Sequence, residues 1–287
     1  MSLLEGRITV VTGASRGAGR GIALVLGQEG ATVYVTGRSV QSESTTDNLS
    51  GTIDQTAQEI TARGGIGIPV RCDHTVDAQV ETVFERVKQE QGRLDSLVNN
   101  AWGGYEGHDE TFGAPFWEQP LWRWDKMLTV GVRSDMVSSY FAVSLMIPQR
   151  QGLIVNTTVD VGSHHNWDLG KHDRLNVFYD TVKTAVSRMA FGMAHNLRPY
   201  NIAVAAVAPG WMRTEAVMSG KPPHTRPSPD ALDQTESVEY IGRAVAALAA
   251  DPNVMDKTGC VLRVGALARE YGFTDIDGRQ WDWYSDR

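Results

Sequence analysis

At 287 residues, 41% of them hydrophobic, the chain is long enough to bury a sizeable core and still within the length at which an open α/β sheet forms one unit. A formal charge of -7 with no block of basic residues excludes a nucleic-acid or anionic-membrane surface and leaves a small molecule as the expected partner. The two cysteines, Cys72 and Cys260, form no metal or disulfide framework, and without a signal segment or an apolar run of about 18 residues the chain reads as cytoplasmic.

Short β-branched runs alternate with helical patterns from the N-terminus. Ile8 to Thr12 reads as a strand, a glycine turn follows, and Gly21 to Gln28 continues as a helix. Thr32 to Thr36 is a second strand, 39–51 a polar loop, Thr52 to Arg63 a helix and Ile66 to Val70 a third strand. A helix over Val76 to Gln91 leads to a fourth strand, Leu94 to Val98. This rhythm predicts right-handed crossovers and a single Rossmann-like, doubly wound parallel α/β sheet of about seven strands, over 1–287.

Beyond Asn99 the pattern loosens into a long aromatic loop at 102–123, with glycines among Trp102, Tyr105, Phe112, Phe116, Trp117 and Trp122. The reading continues with a helix over 121–146, a strand at Leu153 to Thr157, a second loop at 159–176 and a helix over 177–198. Ile202 to Val207 is a sixth strand. The proline- and glycine-rich stretch 216–235 reads as mobile by composition. A helix from Ser237 to Ala250 and a strand from Cys260 to Val264 close the sheet, leaving a C-terminal extension at about 266–287.

Two constellations carry chemistry. Gly13, Gly17 and Gly19, with Ser15, Arg16 and Ala18 between them, sit between a strand and a helix. There a glycine-rich backbone can approach a dinucleotide's pyrophosphate at a helix N-terminus. Such sites usually place an acid at the end of the second strand, on the ribose 2′-hydroxyl. Here that strand runs into Thr36-Gly37-Arg38-Ser39, which leaves room for a 2′-phosphate and offers it Arg38, with Arg16 able to flank it, so the expected cofactor is NADP(H). The second constellation is Tyr179 four residues before Lys183, which puts phenol and ammonium on one helix face and predicts a lowered phenol pKa. Ionisation near pH 7 needs about 4 kcal/mol of preference for the phenolate.

Together these residues resemble the short-chain dehydrogenase/reductase family. Thr12 to Gly19, Asp73, Asn99-Asn100-Ala101, Tyr179 with Lys183, and Pro209-Gly210-Trp211-Met212-Arg213-Thr214 carry the resemblance, over roughly residues 5 to 265. Finer features, among them Val130-Gly131-Val132-Arg133 and Tyr271 to Arg279, resemble its dehydrogenase/reductase member 1 branch. The resemblance implies that Asp73 holds the adenine amino group, Asn100 and Ala101 line the adenosine ribose, and Lys183 grips the nicotinamide ribose. It further implies that Pro209, Gly210 and Met212 cover the carboxamide beside Thr214. The implied substrate is a moderately apolar carbonyl or alcohol, the implied assembly a homodimer or homotetramer, and 216–235 the substrate lid.

The chain departs from the family at two positions. The family's helical asparagine, which holds a relay water, aligns with Gly131, and its carbonyl-binding serine falls on Val159. Valine donates no hydrogen bond, so Thr158 is assigned the role, with Asp160 and Ser163 as alternatives. A mid-helix glycine predicts a local break at 131. His164, His165 and His172 cluster without a metal-ligand spacing. The alternative to an enzyme is a nucleotide-binding protein with little catalysis and a scaffold or regulatory role.

Overall fold

A strand that is apolar at every position, such as Ile202-Ala203-Val204-Ala205-Ala206-Val207-Ala208, has no polar face to turn to water and belongs in a sheet covered on both sides. The computed structural model of the chain describes residues 2–41, 43, 45–107, 109–160, 176–221 and 225–284, and among these places seven strands in such a sheet. They are β1 (Ile8–Val11), β2 (Thr32–Gly37), β3 (Ile66–Arg71), β4 (Ser96–Asn99), β5 (Gly152–Thr157), β6 (Ile202–Ala208) and β7 (Val261–Arg263). All neighbours are parallel, in the order β3-β2-β1-β4-β5-β6-β7. The order reverses between β1 and β4, where Val11 pairs with Val35 on one side and Val98 on the other. A crevice opens at such a reversal, outside the carboxyl ends of the strands.

The helices are α1 (Gly17–Gln28), α2 (Ile53–Ala62), α3 (Asp77–Gln91), α4 (Leu121–Leu128), α5 (Ser134–Gln149), α6 (Val177–Leu197), α7 (Glu215–Met218), α8 (Val238–Ala250) and α9 (Val264–Tyr271). Alternate strand residues face opposite layers. Val11, Val33 and Val35 pack with Ile22, Leu26, Ile60 and Ile241, whereas Val10, Leu97 and Ile154 pack with Phe84, Met146 and Ala190. A smaller cluster of Met127, Phe178 and Val182, flanked by Trp102, Trp124 and Tyr179, walls the crevice.

Two local differences from the expected elements matter for the site. α1 begins at Gly17 rather than Gly21, because the glycine turn itself forms the first helical turn. The helix expected over 121–146 is interrupted by a π-helical turn at Thr129–Arg133, centred on Gly131. A Cβ at Gly131 would lie 2.5 Å from the six-membered ring of Trp102 and 3.1 Å from Val182. The break therefore coincides with a place where the helix backbone and an indole are in direct contact.

Candidate active site

The glycine turn forms the floor of the crevice. Gly13 has a φ of +63°, and a Cβ there would approach the Ala101 Cα to 2.7 Å, so only glycine fits between β1 and the end of β4. Thr12 ties the two strand ends together, its hydroxyl accepting from the N–H groups of Asn100 (2.9 Å) and Ala101 (3.0 Å). The Asn100 amide donates to the carbonyls of Thr12 and Gly13, both at 3.1 Å. Asn100 thereby fixes the shape of the turn.

Whether this floor fits a phosphate is tested by the N-terminus of α1. The Gly17 N–H donates at 2.8 Å to the carboxylate of Glu215, at the start of α7. An anionic group already answers the helix N-terminus, as the positive end of its dipole favours, so the turn has the chemistry that a pyrophosphate needs. Glu215 is a neighbour that local sequence gave no reason to pair with residue 17.

The two arginines expected at a 2′-phosphate have separate fates. Arg38 leaves β2 with its side chain about one-third exposed and paired to Glu106, whose second oxygen takes Lys126 at 2.8 Å. Arg16 donates to the carbonyls of Thr46, Leu49, Ser50 and Gly51 and to the Ser39 hydroxyl, at 3.0 to 3.3 Å. It clasps the 46–51 loop, and Ser39 is buried in that clasp. Asp73 accepts from the N–H (3.0 Å) and hydroxyl (2.8 Å) of Thr75, forming the turn that leads into α3.

On the far side of the crevice, the Gly210 N–H donates to Glu236 at 2.6 Å, Met212 bridges Glu236 through its backbone, and Thr214 caps α7 through the Val217 N–H at 3.2 Å. Burial raises the Glu236 carboxyl to about 8, against the Gly210 hydrogen bond. The C-terminal extension docks here. The Tyr284 hydroxyl donates to the Pro209 carbonyl at 2.9 Å, and Trp283 meets Trp211 edge to face at 5.8 Å.

Tyr179 and Lys183 lie on the first turns of α6, which Asn176 caps by accepting from the Tyr179 N–H at 3.1 Å. The Lys183 ammonium donates to the Thr157 carbonyl at 3.0 Å and stands 4.3 Å from the centre of the Trp102 indole and 6.0 Å from that of the Tyr179 ring. Burial pushes the Tyr179 phenol well above its ordinary value, the charge and hydrogen bond of Tyr105 adding to the effect. The expected lowering is thus reversed, because desolvation of the phenolate outweighs an ammonium directed at Thr157 and the indole. Burial lowers the Lys183 ammonium, opposed by the buried Asp135 carboxyl, which is itself raised by burial.

Thr158 is placed differently from its assigned role. Its hydroxyl donates to the Lys183 carbonyl at 2.9 Å and meets the Ser187 hydroxyl at 2.9 Å, so it is engaged with the backbone of α6. Asp160 presents its N–H to the Tyr284 hydroxyl at 3.3 Å. Ser163, His164, His165 and His172 lie outside the described residues.

The aromatic loop supplies what the sequence left unassigned. Trp102 meets Tyr179 edge to face (5.6 Å, 87°), and Tyr105 stacks on Tyr179 (6.2 Å, 17°), close enough for each phenol to shift the other's ionisation. Trp124 packs inward on Phe178, whereas Trp117 and Trp122 are exposed. The loop is organised by a fully buried Arg123, which donates to Asp109 (2.8 Å) and Gln119 (3.1 Å). A cluster of aromatics with glycines signals a wall but not which ring meets which.

Comparison with known proteins agrees with this architecture. Residues 7–224 match the family model for short chain dehydrogenase. The chain is 40% identical over 285 residues to mouse (Mus musculus) dehydrogenase/reductase SDR family member 1, covering 96% of this chain and 85% of that protein. It is 37% identical over 284 residues to the human (Homo sapiens) protein of the same name, with the same coverage. Among solved structures, a short chain dehydrogenase of Mycobacterium thermoresistibile superposes with a TM-score of 0.79 at 24% identity, covering 96% of this chain and 91% of that one. A 7α-hydroxysteroid dehydrogenase in complex with NADH and 7-oxo-glycochenodeoxycholic acid superposes with a TM-score of 0.72 at 25% identity, covering 92% and 95%.

Proposed function

The chain belongs to the short-chain dehydrogenase/reductase family, and on that premise we propose that it is an NADP(H)-dependent oxidoreductase interconverting a carbonyl and an alcohol on a moderately apolar small molecule. The observation that carries this reading is the placement of Tyr179 and Lys183. One helix face, tied through Lys183 to the end of β5, presents both groups at the strand ends where the glycine turn opens.

When bound, the nicotinamide supplies or accepts the hydride. This chain's own residues do the rest. The turn from Gly13 to Gly19 would receive the pyrophosphate, displacing the Glu215 carboxylate from the Gly17 N–H. Arg38 would exchange Glu106 for the 2′-phosphate. Asp73, Asn100 and Ala101 would line the adenosine, and Pro209, Gly210, Met212 and Thr214 the carboxamide. Lys183 would hold the nicotinamide ribose, and Tyr179 would give its proton to the carbonyl oxygen. A phenol kept protonated by its surroundings holds the proton that carbonyl reduction requires, and the reverse reaction would return it.

The stretch 216–235 is read as the substrate lid, one side of which reaches the 46–51 loop through Lys221, donating to the Asp47 carbonyl at 3.3 Å. Exposed Met136 and Tyr140 on α5 and Phe191 on α6 support a homodimer or homotetramer through these helices. Among the described residues no helix is long and apolar enough to cross a membrane, and the reading places the protein in the cytoplasm.

The test is purified protein with NADPH and a panel of aldehydes and ketones, followed by cofactor absorbance. Turnover by the wild type that Tyr179→Phe abolishes is the expected result. Tight NADPH binding with no turnover on any carbonyl would replace this reading with that of a nucleotide-binding protein, the outcome that Gly131 and Val159 would then explain.

A further inference from the structure

A carbonyl oxygen has two lone pairs, and one proton donor orients it less well than two. Position 159 is valine, and the Thr158 hydroxyl donates to the helix backbone, so neither side chain offers the cleft a second donor. The aromatic loop does. We propose that Tyr105 is a catalytic residue whose phenol, paired with that of Tyr179, is the second hydrogen-bond donor to the substrate's carbonyl oxygen. This rests on the oxidoreductase reading above.

Three observations converge on Tyr105. Its ring lies nearly parallel to that of Tyr179, 6.2 Å away, and each phenol shifts the ionisation of the other, so the two phenols stand side by side. The ring is braced at its other sides by Trp102 (5.8 Å, 70°) and Phe112 (5.6 Å, 65°), which fixes its direction. Trp102 in turn is seated against Gly131 and Gly104, positions where a Cβ would come within 2.5 Å of the indole. The loop holding Tyr105 is therefore packed on the helix that bears the π turn, and the second phenol is fixed rather than trailing in solvent.

The chemistry balances without a further group. As the carbonyl oxygen enters between the two stacked phenols, it accepts from both hydroxyls. Hydride from the reduced nicotinamide forms the new C–H bond, and both electrons of the reduction travel with it. The Tyr179 O–H bond breaks as its proton forms the O–H of the alcohol product. Tyr105 keeps its proton throughout, as its burial, which pushes its phenol up to about 12, favours.

Tyr105→Phe keeps the ring and its packing and removes only the hydroxyl. In the carbonyl assay, kcat should fall about a hundredfold, the loss typical of one oxyanion donor, with the Kd for NADPH within about twofold of wild type. Independently of turnover, 13C NMR of ring-labelled tyrosine, with Tyr179 identified through Tyr179→Phe, should show Tyr179 titrating at lower pH in Tyr105→Phe. Undiminished or increased kcat in Tyr105→Phe overturns the assignment while leaving the oxidoreductase reading in place, an increase marking the ring as an obstruction. An unmoved Tyr179 titration overturns it as well. Absence of turnover by the wild type overturns the oxidoreductase reading and this assignment with it.

Discussion

The Lys183 ammonium lies 4.3 Å from the centre of the Trp102 indole and 3.0 Å from the carbonyl oxygen of Thr157. A cation held between a ring face and a carbonyl keeps its charge in a place where burial works against it. In a partly desolvated setting such a cation–π contact is worth about 1 to 2 kcal/mol. Trp102→Leu removes that contact and much of the volume between α4 and α6, and should cost about 2 to 4 kcal/mol of stability. Urea unfolding with an unchanged m-value reads this out. A loss below about 1 kcal/mol would mean that the indole is not packed as described.

Restoring the family's usual residue should fail here. Gly131→Asn inserts a side chain where even a Cβ would meet Trp102 at 2.5 Å. The expected cost is about 1 to 3 kcal/mol, with no gain in kcat, and combination with Trp102→Ala should recover part of the stability. A single Gly131→Asn protein that is as stable as wild type and faster would show that the relay asparagine, and not the indole, is what this site wants.

Arg38 and Arg16 should separate cleanly in cofactor preference. Arg38→Asp removes a charge-assisted pair of about 1.5 to 3 kcal/mol, so the preference for NADPH over NADH should fall about tenfold to hundredfold. Arg16→Ala should lower the melting temperature through the freed 46–51 loop and leave that preference unchanged. Isothermal titration with both cofactors decides. An unchanged ratio in Arg38→Asp, or a collapsed ratio in Arg16→Ala, would reverse the assignments.

Glu236 gives stability a pH dependence of known sign. Its folded pKa is raised to about 8 by burial, above the model-peptide carboxyl, so the folded state holds a proton that the unfolded state has lost. Its contribution is complete below the unfolded pKa and is lost as pH rises through about 8. Glu236→Gln should therefore remove a downward component of the stability curve between roughly pH 4.5 and 8. Denaturation midpoints for both proteins across that window provide the check. Parallel curves would place the Glu236 carboxyl in an ordinary, ionised state.

The sheet was legible because parallel strands buried on both faces must be written as continuous apolar runs, as in Ile202 to Ala208. The glycine turn was legible for a similar reason, since Gly13 answers a backbone constraint that few residues meet. The partners of Arg16 were not legible because they are carbonyls some 30 to 35 residues away, and a carbonyl leaves no mark in sequence. Tyr105, Glu215 and Tyr284 escaped for the same kind of reason. Each meets its partner across the crevice, and only the chain's path in space brings them together. The reversal at Tyr179 shows a different limit: spacing puts an ammonium near a phenol, but how dry the phenol becomes depends on the rings that close over it.

Lys183 is gripped at both ends by consecutive residues of one strand terminus, its ammonium by the Thr157 carbonyl and its own carbonyl by the Thr158 hydroxyl. In mechanical terms this welds α6 to the tip of β5, so that helix and strand form one rigid body with the lysine as its rivet. On the proposed reading, the contacts that exchange when cofactor arrives lie on the other side, Glu106 with Arg38 and Glu215 with the Gly17 N–H. The Tyr179 backbone, one turn from the rivet, is the fixed coordinate against which their positions are set.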